Sequence, residues 1–208
     1  MGLETVLRDP RVWRFGEVPA TGTETVPTGF AELDALLPGR GWPVGALTEI
    51  LAECEGIGVL RLVMPALARL CRSERWLAWI APPHIPYAPA LAAHGVDLTR
   101  VLMIGPVEGP AERFWAVEQS LRAGACSAVL AWLPHADWRG LRRLQLAAEA
   151  GQSCGLVFRP LAAHREASPA ALRLVLEPSG SRTAVRIIKC RSGAGAKPLT
   201  LDLPGPDL

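Results

Sequence analysis

From residue 46 onward the apolar positions alternate between two patterns. Residues 46–52 (Ala-Leu-Thr-Glu-Ile-Leu-Ala) read as a first strand, and 76–81 is a continuous apolar run, the mark of a buried strand. Residues 59–72 place apolar side chains at 60, 63, 64, 67, 70 and 71, a stripe of helical period, with Arg61, Arg69 and Arg72 on another face. Pro65 lies inside that helix and predicts a kink. The alternation then repeats: a strand at 76–81, a helix at 87–95 closed by Gly95, a strand at 101–104, a helix at 112–123 stopped by Gly124, and a strand at 127–133. Asp137 is placed to cap a further helix that Gly151 ends, and 154–158 reads as a fifth strand. Strands and helices in strict alternation imply βαβ units and a mostly parallel sheet.

Both ends break this rhythm. Residues 1–45 carry Pro19, Pro27, Pro38, Pro43 and several glycines. Their one ordered signal is 28–37, where Thr28 is placed as a cap, Phe30, Leu33 and Leu37 recur at helical spacing, and Pro38-Gly39 stops the helix. Beyond Pro169, residues 172–176 and 183–191 flank Pro178-Ser179-Gly180, a hairpin signal, and 198–203 offers one more strand. The reading is an α/β fold: an N-terminal arm with a short helix at 1–45, a core of mostly parallel sheet flanked by helices at 46–165, and a C-terminal antiparallel hairpin and tail at 166–208.

Composition narrows the class. Half of the 208 residues are hydrophobic, 20% are charged and seven are Trp, which excludes a disordered chain and suffices for one sizeable core. A formal net charge of +2 excludes a polycationic tail protein. The first fifteen residues lack an apolar stretch of signal-peptide length, and no apolar run reaches eighteen residues, so no membrane span is expected. The five Cys are odd in number and none are spaced C-x-x-C, which implies a reducing, cytoplasmic setting without disulfides. The four His are dispersed, and no metal site is expected.

The candidate chemistry lies first in the loop after the first strand, Glu53-Cys54-Glu55-Gly56-Ile57-Gly58-Val59. A phosphate-binding loop in that place needs a Lys for the outer phosphates and a Ser/Thr hydroxyl for Mg²⁺. This loop has neither, and Glu53 and Glu55 would repel phosphates; its glycines read either as a relict nucleotide loop or as an ordinary βα turn. The two carboxylates have no neighbouring nucleophile or His, and Ser153, Cys54 and Cys154 read as packing groups. The hairpin carries Arg173, Arg182, Arg186, Lys189, Arg191 and Lys197 against Glu177 alone. That patch reads either as a surface for nucleic-acid phosphates or an acidic partner, with Arg182, Arg186, Lys189 and Arg191 as its contacts, or as a solvated edge that blocks aggregation. Trp138, beside Arg139, Arg142 and Arg143, is a candidate partner contact. Trp76 and Trp79 read as core, and Trp13 and Trp42 must dock on something.

Several stretches carry a family resemblance. Thr28-Gly29-Phe30-x-x-Leu33-Asp34, 41–50, 80–84 through 95–98, and 122–125 resemble the RecA ATPase core. More closely, 82–91 (Pro-Pro-His-Ile-Pro-Tyr-Ala-Pro-Ala-Leu), 144–151 and Phe158-Arg159-Pro160-Leu161 are similar to recurrent stretches of the ImuA family of bacterial SOS mutagenesis proteins, which are RecA-like. Residues 47–161 also resemble the SulA family, SOS inhibitors of the division GTPase FtsZ, a resemblance that omits the arm and the hairpin. The first resemblance implies a RecA-like fold in which the nucleotide-site Lys falls at Gly58, its Thr at Val59, the catalytic acid at Pro83 and the Mg²⁺-ordering acid at Trp132. It therefore implies a non-catalytic protein without cofactor. The expected role is accessory: contact with ImuB, an inactive Y-family polymerase homologue, and with an error-prone C-family polymerase in damage-induced translesion synthesis. RecA, DNA and further copies of the chain are left open as partners. The alternative expectation is a SulA-like division inhibitor that binds FtsZ.

One outcome follows from the loop at 53–59 alone. Titrated with ATP in a calorimeter, the purified chain is expected to show no binding heat at micromolar concentration. A micromolar affinity lost on changing Gly56 or Gly58 would contradict it.

Overall fold

The computed structural model describes residues 24–53, 58–107, 109–190 and 198–203. A small antiparallel pair, β1 (Thr25–Val26) and β2 (Trp42–Pro43), encloses helix α1 (Ala31–Leu36). The body then runs β3 (Ala46–Ala52), α2 (Val59–Leu70), β4 (Trp76–Ile80), α3 (Ala88–Ala93), β5 (Val101–Ile104), α4 (Pro110–Arg122), β6 (Cys126–Trp132), α5 (Trp138–Gly151) and β7 (Cys154–Pro160). It ends in β8 (Leu172–Ser179), β9 (Arg182–Lys189) and β10 (Leu199–Leu201). One eight-stranded sheet has the order β10-β9-β8-β3-β7-β6-β4-β5. The six strands from β8 to β5 are parallel, and β9 and β10 add antiparallel edges. The mostly parallel sheet and the antiparallel β8–β9 hairpin are thus one continuous surface, because β8 hydrogen-bonds to β3.

Alternation along β3 sorts side chains to the two covered faces. Ile50 packs with Leu62, Val63, Met64 and Leu67 of α2, and with Leu174 and Ile187. Leu47 packs on the opposite face with Leu121 of α4 and Leu141 and Leu144 of α5. The helix α2 runs through Pro65 for all twelve residues, so the proline does not end it. Thr28 does not cap α1, because Phe30 takes that place; its hydroxyl accepts instead from the Phe30 amide at 3.1 Å, and its own amide donates to Asp34 Oδ1 at 2.9 Å. Gly151 is not the residue after α5 but its last turn. A Cβ there would stand 1.9 Å from the Leu121 carbonyl, so only glycine admits this approach of α4, and Gln152 takes the left-handed position. Trp79 and Trp42 are fully buried, but Trp76 corrects the core expectation: it opens β4 and is 40% exposed.

The polar residue inside β3 is the unusual one. Glu49 is fully buried at the centre of the sheet. Register places Arg173 of β8 directly beside it, while Arg159 of β7 reaches it diagonally from the position opposite Leu51. Arg159 Nη1 donates to Glu49 Oε1 at 2.9 Å and Arg173 Nε donates to Oε2. The remaining guanidinium N–H groups reach the connections. Arg159 binds the carbonyls of Leu133 and Ala136 and the Glu166 carboxylate; Arg173 binds the carbonyls of Ala163 and Glu166. Arg173 is therefore not part of a solvated hairpin patch, contrary to the sequence reading, since its neighbour in register is an acid that composition cannot locate.

A buried pair deprived of one member leaves an uncompensated charge. Glu49→Ala is expected to lower the unfolding free energy by about 3–5 kcal/mol, measured by urea denaturation. A loss below about 1 kcal/mol would mean that the two arginines find other partners.

Candidate functional site

The carboxyl ends of β3 to β7 open into a groove of about 1230 Å³, where sheets of this kind hold their ligands. Its floor is aromatic. Trp132, the last residue of β6, stacks on Phe158 with ring centroids 4.7 Å apart and lies 5.9 Å from Trp79. Register produces this stack: Trp132 faces Phe158 across β6–β7, and Trp79 faces Leu130, two residues before Trp132. Such pairs contribute about 0.5–1.5 kcal/mol beyond the area they bury. Prolines 82, 83, 86, 106, 134 and 160 line the walls and bring no backbone N–H with them.

The loop that would cradle phosphates is closed off at its far end. Gly58 precedes α2 with φ +88°, and a Cβ there would lie 2.7 Å from Leu203 Cδ1. Arg61 in the first turn donates to the Leu203 carbonyl at 3.4 Å, so Leu203, two residues past β10, sits over the helix entry. Val59 is partly buried against the core. Gly56 and Cys54 lie outside the described residues. Pro83 is exposed beside the groove and Trp132 is part of its floor, so neither position that the resemblance assigns to an acid carries one. Ser153 donates to the carbonyls of Leu121 and Cys126, and burial pushes the Cys154 thiol up to about 12, so both are packing groups rather than nucleophiles. Burial also raises the Cys126 thiol, against the pull of Arg75. Among the described residues, no three His, Cys, Asp or Glu side chains come together to hold a metal ion. No described helix is long and apolar enough to cross a membrane.

The hairpin arginines are placed unevenly. A bulge at Arg173/Leu174 brings Lys189 level with Arg173. Lys189 Nζ donates to the Ser168 carbonyl at 2.6 Å; burial first, then the Arg173 charge, lower its pKa, with Glu49 opposing. Arg186 lies 3.5 Å from the Glu177 carboxylate. Arg182 is exposed at the turn, and Arg191 lies outside the described residues, as does Trp13. Trp138 is 52% exposed at the start of α5, where Asp137 caps by accepting from the Gly140 amide at 2.7 Å.

Another surface was not foreseen. Ile85 is 93% and Tyr87 66% exposed in the loop after β4, Leu98 is exposed on the 3₁₀ turn Leu98–Arg100 and Leu102 and Met103 on β5, and Met103 lines the groove together with Ile85. The apolar run of β5 reads as a strand, but only topology reveals that this strand is the sheet's edge.

Residues 45–155 match the family described as "Cell division inhibitor SulA". A SulA from Edwardsiella piscicida is 40% identical over 103 residues, 49% of this chain and 61% of that protein's length. A SulA from Yersinia pestis (strain Pestoides F) is 34% identical over 117 residues, 56% of this chain and 69% of its own. The crystal structure of SulA from Pseudomonas aeruginosa aligns with a TM-score of 0.46 at 28% identity, over 54% of this chain and 97% of that one. The chain belongs to the SulA family. This overturns the expectation of an accessory role in translesion synthesis: the family that residues 45–155 match is described as one of cell division inhibitors.

Restoring the lost nucleotide-site side chains tests the reading of the loop. Gly58→Lys with Val59→Thr is expected to gain no ATP binding and to lose about 1–2 kcal/mol of stability, since a side chain must occupy a left-handed residue against Leu203. Calorimetric ATP binding by the double variant would contradict it.

Proposed function

We propose that this chain inhibits cell division by direct contact with FtsZ, as part of the response to DNA damage, and that it catalyses no reaction. Family membership supports the biological role. The observation that carries the contact is the apolar edge formed by Ile85, Tyr87, Leu98, Leu102 and Met103. Among the described residues β5 pairs with β4 alone, which leaves the outer backbone groups of β5 for a partner. Exposed large apolar side chains gathered at one edge mark a protein-binding surface rather than random exposure. The finer reading of the fold as RecA-like accords with this role. On that reading the scaffold's nucleotide loop has lost its Lys and hydroxyl, its groove floor is Trp79, Trp132 and Phe158, and its use has passed from phosphoryl transfer to binding.

Purified FtsZ tests this. The chain, added in equimolar amount, is expected to suppress GTP-dependent FtsZ assembly measured by light scattering. Leu102→Asp with Met103→Asp is expected to weaken that effect about tenfold or more, because a desolvated apolar contact would be replaced by unpaired charge. Undiminished FtsZ assembly with excess wild-type chain would sink the proposal.

A further inference from the structure

A second surface, on the helices α4 and α5, has features the edge strand lacks. Arg139 and Arg143, and Arg142 and Leu146, are each four residues apart along α5, and all four are exposed. They form one stripe on the helix. On the neighbouring α4, Trp115, 64% exposed, and Arg122, two turns further on, flank Glu118, which binds Arg143 of the stripe. The two helices are tied by Glu118, whose buried carboxylate accepts from Arg122 at 2.8 Å and from Arg143. The arginine side chains remain 50% and 63% exposed even so, which fixes their direction without using all their donors. Glu118 cancels one of the four arginine charges. Glu149 is engaged by Gln145 at 2.9 Å, and Glu112 lies in the first turn of α4. Trp138 extends the apolar area at the start of α5.

We propose that this face docks an extended acidic segment of a partner protein that carries one apolar anchor. Charge complementarity sets the sign of the partner. Spacing sets its form: Arg139 and Arg143 are about 6 Å apart along the helix axis, close to the distance between alternate residues of an extended chain. Carboxylates at every second position of such a segment meet successive arginines, and the anchor rests between Trp115 and Leu146. The apolar side chains favour a peptide over duplex DNA, whose backbone offers Trp115 and Leu146 nothing apolar to bury against. The residues are other than those of the β5 edge, so the inference does not depend on the FtsZ reading.

The test uses the full chain and a fluorescein-labelled peptide with glutamate at alternate positions and one central leucine, read by anisotropy. Saturable binding is expected. Arg139→Glu with Arg142→Glu is expected to weaken it about tenfold, as is Trp115→Ser. Arg139→Gln with Arg142→Gln serves if the charge reversal does not fold, and is expected to weaken binding in the same direction. Absence of peptide binding, or affinity indifferent to these substitutions, would overturn the proposal. So would tighter binding of a labelled DNA duplex than of the peptide, dependent on the same arginines.

Discussion

Glu49 is the constraint around which the chain is arranged. A carboxylate in the middle of a fully covered sheet is tolerable only when its charge and lone pairs are met. Meeting them requires β7 and β8 on either side of β3, each supplying an arginine at a defined register. Those arginines then have donors left over, and these hold the segments after β6 and β7 down on the sheet. Strand order, register and loop position are therefore coupled through one ionic cluster. Replacing such a cluster by apolar residues of similar volume is often neutral or better for stability. Its contribution here is to make any other register costly, since a slip of one residue would leave the charge facing the wrong layer.

The same sheet that needs this cluster at its centre ends β6 on Trp132, and the one charged side chain near the end of β7, Arg159, is taken up by Glu49 and Glu166. Trp79, Trp132 and Phe158 fill the space between strands and α2, and Leu203 covers the helix entry. A helix N-terminus favours anions only when its amides are reachable and the loop before it is neutral or positive. Neither condition is met beside Glu53 and Leu203. The two surfaces proposed to bind partners lie elsewhere, on an edge strand and on a helix pair.

The order of strands and helices from Ala46 to Pro160 was legible because each element's apolar period is regular and each is punctuated by glycine or a capping residue. The absence of the nucleotide-site side chains was equally plain, since it depends on residue identity alone. The exposed face of β5 was not legible: Val101-Leu102-Met103-Ile104 has the same composition whether a strand is central or at an edge. Nor was the fate of Arg173 and Lys189, which reads as surface charge until β3 is placed beside β8 and a bulge shifts β9. Resemblance to the ImuA family pointed to a role that the match of residues 45–155 to the SulA family overturns.

Hydrogen exchange of the chain with and without FtsZ tests the central claim most directly, because it reports where the partner sits without any substitution. The account predicts added protection of the backbone amides in 82–87 and 101–104, with the first turn of α2 unchanged. Protection absent from that edge, or concentrated at the entry to α2 and enhanced by nucleotide, would contradict it.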